Sequence, residues 1–164
     1  MQRIEKRAEP SELTQWRIKF RNDPNFGYGL LCGKEAHAAV LRSLLAEQGG
    51  ICAYTGIAIR DKVGTRMATA HIEHIFPQKH CSPAESVSYD NLLACYPGPN
   101  APASNFGATF KKDWPSAEER MHFVSPVTQG CEERFRFNKR GEISAARADD
   151  QAAKQTILRL GLDS

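Results

Sequence analysis

Glycine and proline punctuate the middle of this chain so densely that no long element fits between Gly49 and Pro102. Ahead of that stretch, Val40, Leu41, Leu44 and Leu45 recur at helical spacing. They predict a helix over Lys34 to Gln48, stopped by Gly49-Gly50 because glycine accepts the left-handed cap conformation. "ICAYTGIAI", Ile51 to Ile59, mixes strand formers with Thr55-Gly56 and reads as a short, turning β-segment. A polar loop runs to about Ala68, and a second strand-like stretch ends in "HIEHIFPQKH", where Pro77 closes it. Asp90 reads as an N-cap for a helix from Asn91 to about Cys95, which "PGPNAP" forbids from extending. The expected order from Ile51 to Tyr96 is strand, strand, short helix.

The flanks read as helices before this core and scaffold after it. Met1 to Phe20 carries Arg3, Lys6, Arg7, Arg17 and Lys19 with Trp16 and Phe20 as apolar anchors. That pattern suits either a contact surface for a partner or phosphates, or a solvated arm. Ser116 and Glu119 have capping-box spacing for a short helix. "RFRFN", Arg134 to Asn138, alternates as a strand does, with Glu142 to Ser144 available to pair back. Asp149 to Leu160 predicts an amphipathic helix that Gly161 ends. With 164 residues the expectation is one α+β domain, 1–164, with N-terminal helices over 11–48, a core over about 51–96 and a scaffold over 113–164. A net charge of +3 permits nucleic-acid binding without demanding it. Five widely spaced cysteines, no secretory signal and no apolar run long enough for a bilayer predict a reducing cytoplasm and no membrane span.

Chemistry concentrates between His71 and His80, which hold three of the five histidines and a carboxylate. Phosphodiester hydrolysis needs a base to activate water and a positive group to meet the developing negative charge. Histidine serves as base near neutral pH, and a divalent cation held by a carboxylate or imidazole supplies the charge. Glu73 and His74 stand side by side, and the amide of Asn91 is suited to bridge two backbone segments and fix the loop carrying the base.

"GGICAYTG", "HIEHIFPQ", "YDNLLACYPGPN", "GCEERFRFN" and "TILRLGL", in that order, resemble HNH endonucleases, most closely the PtuB family of Septu and retron-associated antiphage systems. The likeness spans most of the chain. It implies a ββα-metal core within a small, mainly helical domain, with Glu73 as metal ligand, His74 as general base and Asn91 as the structural asparagine. It also implies Mg²⁺ or Mn²⁺ as cofactor, a PtuA-like ATPase partner and nucleic acid as substrate. DNA is favoured there, with RNA such as tRNA as the alternative. A catalytically decayed HNH-fold binding subunit is the competing expectation.

Two departures qualify the likeness. Relatives often carry a four-cysteine zinc knuckle; here Cys52 is followed by Thr55 and only Cys95 stands downstream, so no structural zinc is expected and both cysteines read as small buried hydrophobes. Where the last histidine of the pattern belongs, the sequence offers Ala108 or Thr109. A substitute ligand is then His71, two residues from Glu73 on the same face of a strand, or Asn105, or water. Lys111 and Lys112 read equally as phosphate contacts and as a solvated pair. On a regular strand Glu73 and His74 point to opposite faces, so the expected site requires the chain to leave the strand between them.

Overall fold

The computed structural model describes residues 1–163. Three helices lead: α1, Ser11–Phe20; α2, Tyr28–Leu31; and α3, Glu35–Glu47. α3 follows the apolar spacing seen in the sequence and buries Val40, Leu41 and Leu44, while Leu13 and Trp16 of α1 join the same core. The amino-terminal segment is not a free arm. Ile4 is buried, and Lys6 reaches Glu47 at 2.8 Å and the Leu92 carbonyl at 3.1 Å. Arg3 and Lys19 remain exposed.

The middle of the chain forms two strands, β1, His71–His74, and β2, Leu92–Cys95, paired antiparallel with His71 opposite Cys95 and His74 opposite Leu92. Between them lie a four-residue helix, α4, Pro83–Ser86, and single 3₁₀ turns at Gln78–His80 and Tyr89–Asn91. A short helix, α5, Ala108–Lys111, follows β2. The predicted helix over Asn91 to Cys95 is therefore corrected to a 3₁₀ turn and a strand. Leu92, Leu93, Ala94 and Cys95 are all buried, and a four-residue apolar run covered on both faces has no periodicity to separate strand from helix. The β-segment expected at Ile51 to Ile59 is reduced to one bridge, Ile51 to Ala58, because the Thr55-Gly56 turn leaves no length for a ladder. The strand, strand, short-helix order expected over 51–96 is therefore corrected: the two paired strands are His71–His74 and Leu92–Cys95, with α4 and two 3₁₀ turns between them.

The outer edge of β2 is closed by a side chain. The Gln48 amide, one residue past α3, donates to the Ala94 and Ile51 carbonyls, each at 2.8 Å, and accepts the Ala94 N–H at 2.7 Å. It satisfies backbone groups that would otherwise form a bare buried edge.

β3, Phe135–Phe137, and β4, Ile143–Ala145, form the hairpin that the alternation predicted, and α6, Gln151–Leu160, is capped by Asp150 accepting from Ala153 N–H. Gly161 ends α6 at φ 57°, a conformation that favours glycine. Ser116 and Glu119 do not start a helix. Glu119 accepts the Ser116 N–H at 3.0 Å, but the segment is turn followed by a 3₁₀ turn at Arg120–His122. α6 joins two apolar clusters. Leu160 belongs to the core of α1, α3, β1 and β2, whereas Ala153 and Ile157 pack with Val124, Cys131, Phe135 and Ala145. Among the described residues no helix is long and apolar enough to cross a membrane.

Candidate active site

β1 ends at His74 and alternates in burial, so His71 and Glu73 share one face while Ile72 and His74 share the other. The expected break between Glu73 and His74 is absent: both lie on the strand and their side chains leave opposite faces, so the expected site in which the two address one phosphate together is not formed. His74 is instead the last strand residue, with its ring at the mouth of the connection to β2.

That connection is built to hold the ring. "SPAES" is a capping box with proline at the first helical position: Ser82 N–H donates to Glu85 at 2.8 Å, and Glu85 N–H donates to Ser82 Oγ at 3.3 Å. α4 so started delivers Ser86. Its hydroxyl donates to the Pro83 carbonyl at 2.7 Å and accepts Tyr28 N–H at 3.1 Å, and its carbonyl lies 2.9 Å from His74 Nε2. A carbonyl only accepts, so Nε2 carries the proton and Nδ1 keeps its lone pair in the neutral ring. Tyr28 packs edge-on against this imidazole at 4.5 Å between centroids. Burial holds the His74 pKa below its ordinary value, against the opposing influence of Ser86 and Glu73. The ring is thus neutral at pH 7, though His74 is only 5% exposed.

Asn91 braces the same turn. Its Oδ1 accepts Phe76 N–H at 2.9 Å, its amide donates to the Phe76 carbonyl at 3.1 Å, and its own carbonyl accepts Ile75 N–H at 2.9 Å. The chain after His74 is thus tied to the residue just before β2.

Glu73 lies on the opposite face in a tight electrostatic setting. Lys111 Nζ donates to Glu73 Oε1 at 2.7 Å and to the His74 carbonyl at 2.9 Å, and the lysine side chain is wholly buried. His71 Nε2 is 3.7 Å from Glu73 Oε2, and His71 Nδ1–H donates to the Pro97 carbonyl at 2.6 Å. Burial pushes the Glu73 pKa up, but His71 and Lys111 together outweigh it and hold the carboxyl below its ordinary range. Burial pushes His71 down, and Glu73 with the Pro97 carbonyl outweighs it, so His71 titrates above its ordinary value. Gly98 makes the Pro97 contact geometrically available: a Cβ there would sit 2.1 Å from the Ala68 carbonyl oxygen, so only glycine lets the two segments cross.

The solvated-pair reading is overturned for Lys111, which is buried against Glu73, and holds only for Lys112, which is exposed at φ 52°. Asn105 is exposed, and no hydrogen bond joins its side chain to Glu73 among the described residues. His80 turns to the Asp113 carbonyl at 3.1 Å, and His37 meets the Tyr28 hydroxyl at 3.1 Å. Cys52 and Cys95 are both buried. Tyr96 N–H donates to Cys52 Sγ at 3.3 Å, and chiefly the Cys95 thiol brings the Cys52 thiol down to about 5. Sequence reasoning did not anticipate the roles of Ser86, Tyr28 and Gln48. For Lys111, a usable signal was its place one helical turn after Ala108, which puts both on the buried face of α5.

A divalent metal does not fit beside Glu73 as this site stands. Oxygen-bound Mg²⁺ or Mn²⁺ needs several oxygen ligands at close range. Here one carboxylate oxygen is taken by an ammonium, and among the described residues no three His, Cys, Asp or Glu side chains converge as a metal site requires. Compared with known proteins, the chain matches no protein-family model and no curated protein.

Proposed function

We propose that this chain is an HNH-type endonuclease that hydrolyses phosphodiester bonds in nucleic acid, DNA in the first instance, with His74 as general base. The observation that carries the reading is the His74 imidazole, fixed in one neutral tautomer by the Ser86 carbonyl beside a turn braced by Asn91. The ring stands at the end of β1, paired with β2, and Tyr28 covers it edge-on. In the reaction His74 Nδ1 takes a proton as the water oxygen bonds to phosphorus. The bond from phosphorus to the leaving 3′ oxygen breaks, and that oxygen gains a proton from solvent. Glu73, Lys111 and His71 lie on the opposite face of β1 and reach the base residue through the hydrogen bond from Lys111 to the His74 carbonyl.

The resemblance extends the proposal to a cytoplasmic effector subunit of an antiphage complex with a PtuA-like ATPase. A net charge of +3 provides little grip on duplex by itself, so a partner that supplies phosphate contacts suits this chain. The test is cleavage of plasmid DNA and total RNA by the purified chain, alone and with the ATPase, beside His74→Ala. Cutting is expected to fall by roughly 10²–10⁴-fold in the variant with the fold retained; an unimpaired His74→Ala protein removes the assignment. The second reading is a non-catalytic binding subunit, favoured by the near-complete burial of His74. Absence of cutting by a folded wild-type chain with and without the partner selects it.

A further inference from the structure

We infer that the Lys111 ammonium is the resident cation of this centre, and that a divalent metal ion binds beside Glu73 only when Lys111 is removed. This deepens the nuclease reading and rests on it for the role of the centre, though metal exclusion can be measured without any cleavage. The argument starts from burial. A wholly buried ammonium must have its charge answered nearby, and Lys111 has Glu73 Oε1 at 2.7 Å and the His74 carbonyl at 2.9 Å. These two acceptors come from consecutive residues of β1, one through its side chain and one through its backbone. The lysine therefore ties the Glu73 carboxylate to the backbone at the end of β1, and its charge occupies the carboxylate oxygen that a metal ion would need.

The backbone around α5 is shaped to deliver that group. Gly107 precedes the helix at φ 72°, and a Cβ there would press on Thr55 Cγ2 at 3.0 Å. Lys112 follows it in the left-handed region at φ 52°, where a non-glycine residue is strained. Gly107 N–H donates to the Leu160 carbonyl at 2.6 Å, and Lys111 N–H to the Gly107 carbonyl at 3.0 Å. The helix is pinned at one end to α6, and the ammonium points inward. A second cation on Glu73 would stand within a few ångströms of this charge, where repulsion in a shielded site is severe.

The experiment titrates Mn²⁺ alone into the full chain, reading free Mn²⁺ by electron paramagnetic resonance, for wild type, Glu73→Gln, Lys111→Ala and Lys111→Ala/Glu73→Gln. Cleavage is assayed in parallel with and without EDTA. Wild type and Glu73→Gln are expected to take up Mn²⁺ equally weakly. Lys111→Ala is expected to bind it roughly a hundredfold more tightly, with the gain lost in the double variant. Cutting by wild type is expected to survive EDTA. A wild-type Mn²⁺ site that disappears in Glu73→Gln, or cutting abolished by EDTA, overturns the inference while leaving the nuclease reading in place. No cutting under any condition removes the nuclease reading, and the Mn²⁺ titration still decides the inference. Where Lys111→Ala does not fold, Mn²⁺ soaked into wild-type crystals decides: anomalous density beside Glu73 overturns it, and Lys111 on Glu73 without such density upholds it.

Discussion

The β1–β2 region and the β3–β4–α6 region are built on different terms. Of the six buried polar or charged residues among those described, Gln48, His74, Ser86, Asn91 and Lys111 serve the β1–β2 region and only Thr156 serves the other. Thr156 has a plain structural task, accepting the Val124 N–H at 2.8 Å. Arg134 with Asp150, one of the ion pairs of the C-terminal region, lies near the surface, whereas Lys111 with Glu73 in the β1–β2 region is enclosed. Buried polar groups are costly and must be individually partnered, so their concentration around β1 and β2 marks where the larger apolar core also carries a specific polar arrangement.

Breaking the enclosed pair is expected to have the largest effect on stability. Lys111→Ala leaves the enclosed Glu73 carboxylate with His71 alone, at 3.7 Å, and should cost about 3–5 kcal/mol in urea denaturation; a loss below about 1 kcal/mol would show that solvent already reaches the pair. Asn91→Ala comes next. It leaves Phe76 N–H without its partner and removes the amide donor to the Phe76 carbonyl, which keeps only the Cys81 thiol, and should cost about 1–3 kcal/mol. Cutting should fall with it, since the turn after His74 loosens; unchanged stability would mean that the turn holds itself.

Proton titration sharpens the contrast within β1. His71 has a raised folded pKa, so its contribution to stability is complete below pH 6.5 and is lost as pH rises through the folded value. Glu73 has a lowered one, so its contribution is complete above pH 4.5 and is lost as pH falls through the folded value. Their contact is therefore strongest between those limits. His74 runs the other way from His71: its contribution is complete above pH 6.5 and fades as pH falls through the lowered folded value. Nuclear magnetic resonance of the ring protons should separate the two histidines on either side of 6.5, and a common midpoint would refute the opposed settings. Arg134→Ala should do least, about 0–1 kcal/mol, because its guanidinium is partly in water and salt screens the pair. A cost equal to that of Lys111→Ala would erase the distinction between the two regions.

The same division explains what was legible in the sequence. α3, α6 and the β3–β4 hairpin follow from apolar period, cap residues and turn chemistry, all written within a few positions. Asn91 was legible as a bridge because an asparagine opening a segment has few other tasks. β2 was not legible, since Leu92 to Cys95 is buried on every side. Nor was the docking of Lys111, which meets a residue 38 positions earlier. Such a contact exists only once α5, α6 and β1 are assembled, and lysines 111 and 112 differ in surroundings although adjacent in sequence.

The hydrogen bond from Gly107 to Leu160 has a consequence for the order of synthesis. β1, β2 and α5 leave the ribosome well before the carbonyl that anchors α5 has been made. A nascent chain can pair its strands and seat His74 against Ser86, but it holds Lys111 on an unanchored four-residue helix. The charged centre is therefore among the last parts to become native, and an incomplete copy of the protein carries the base without a settled counter-charge.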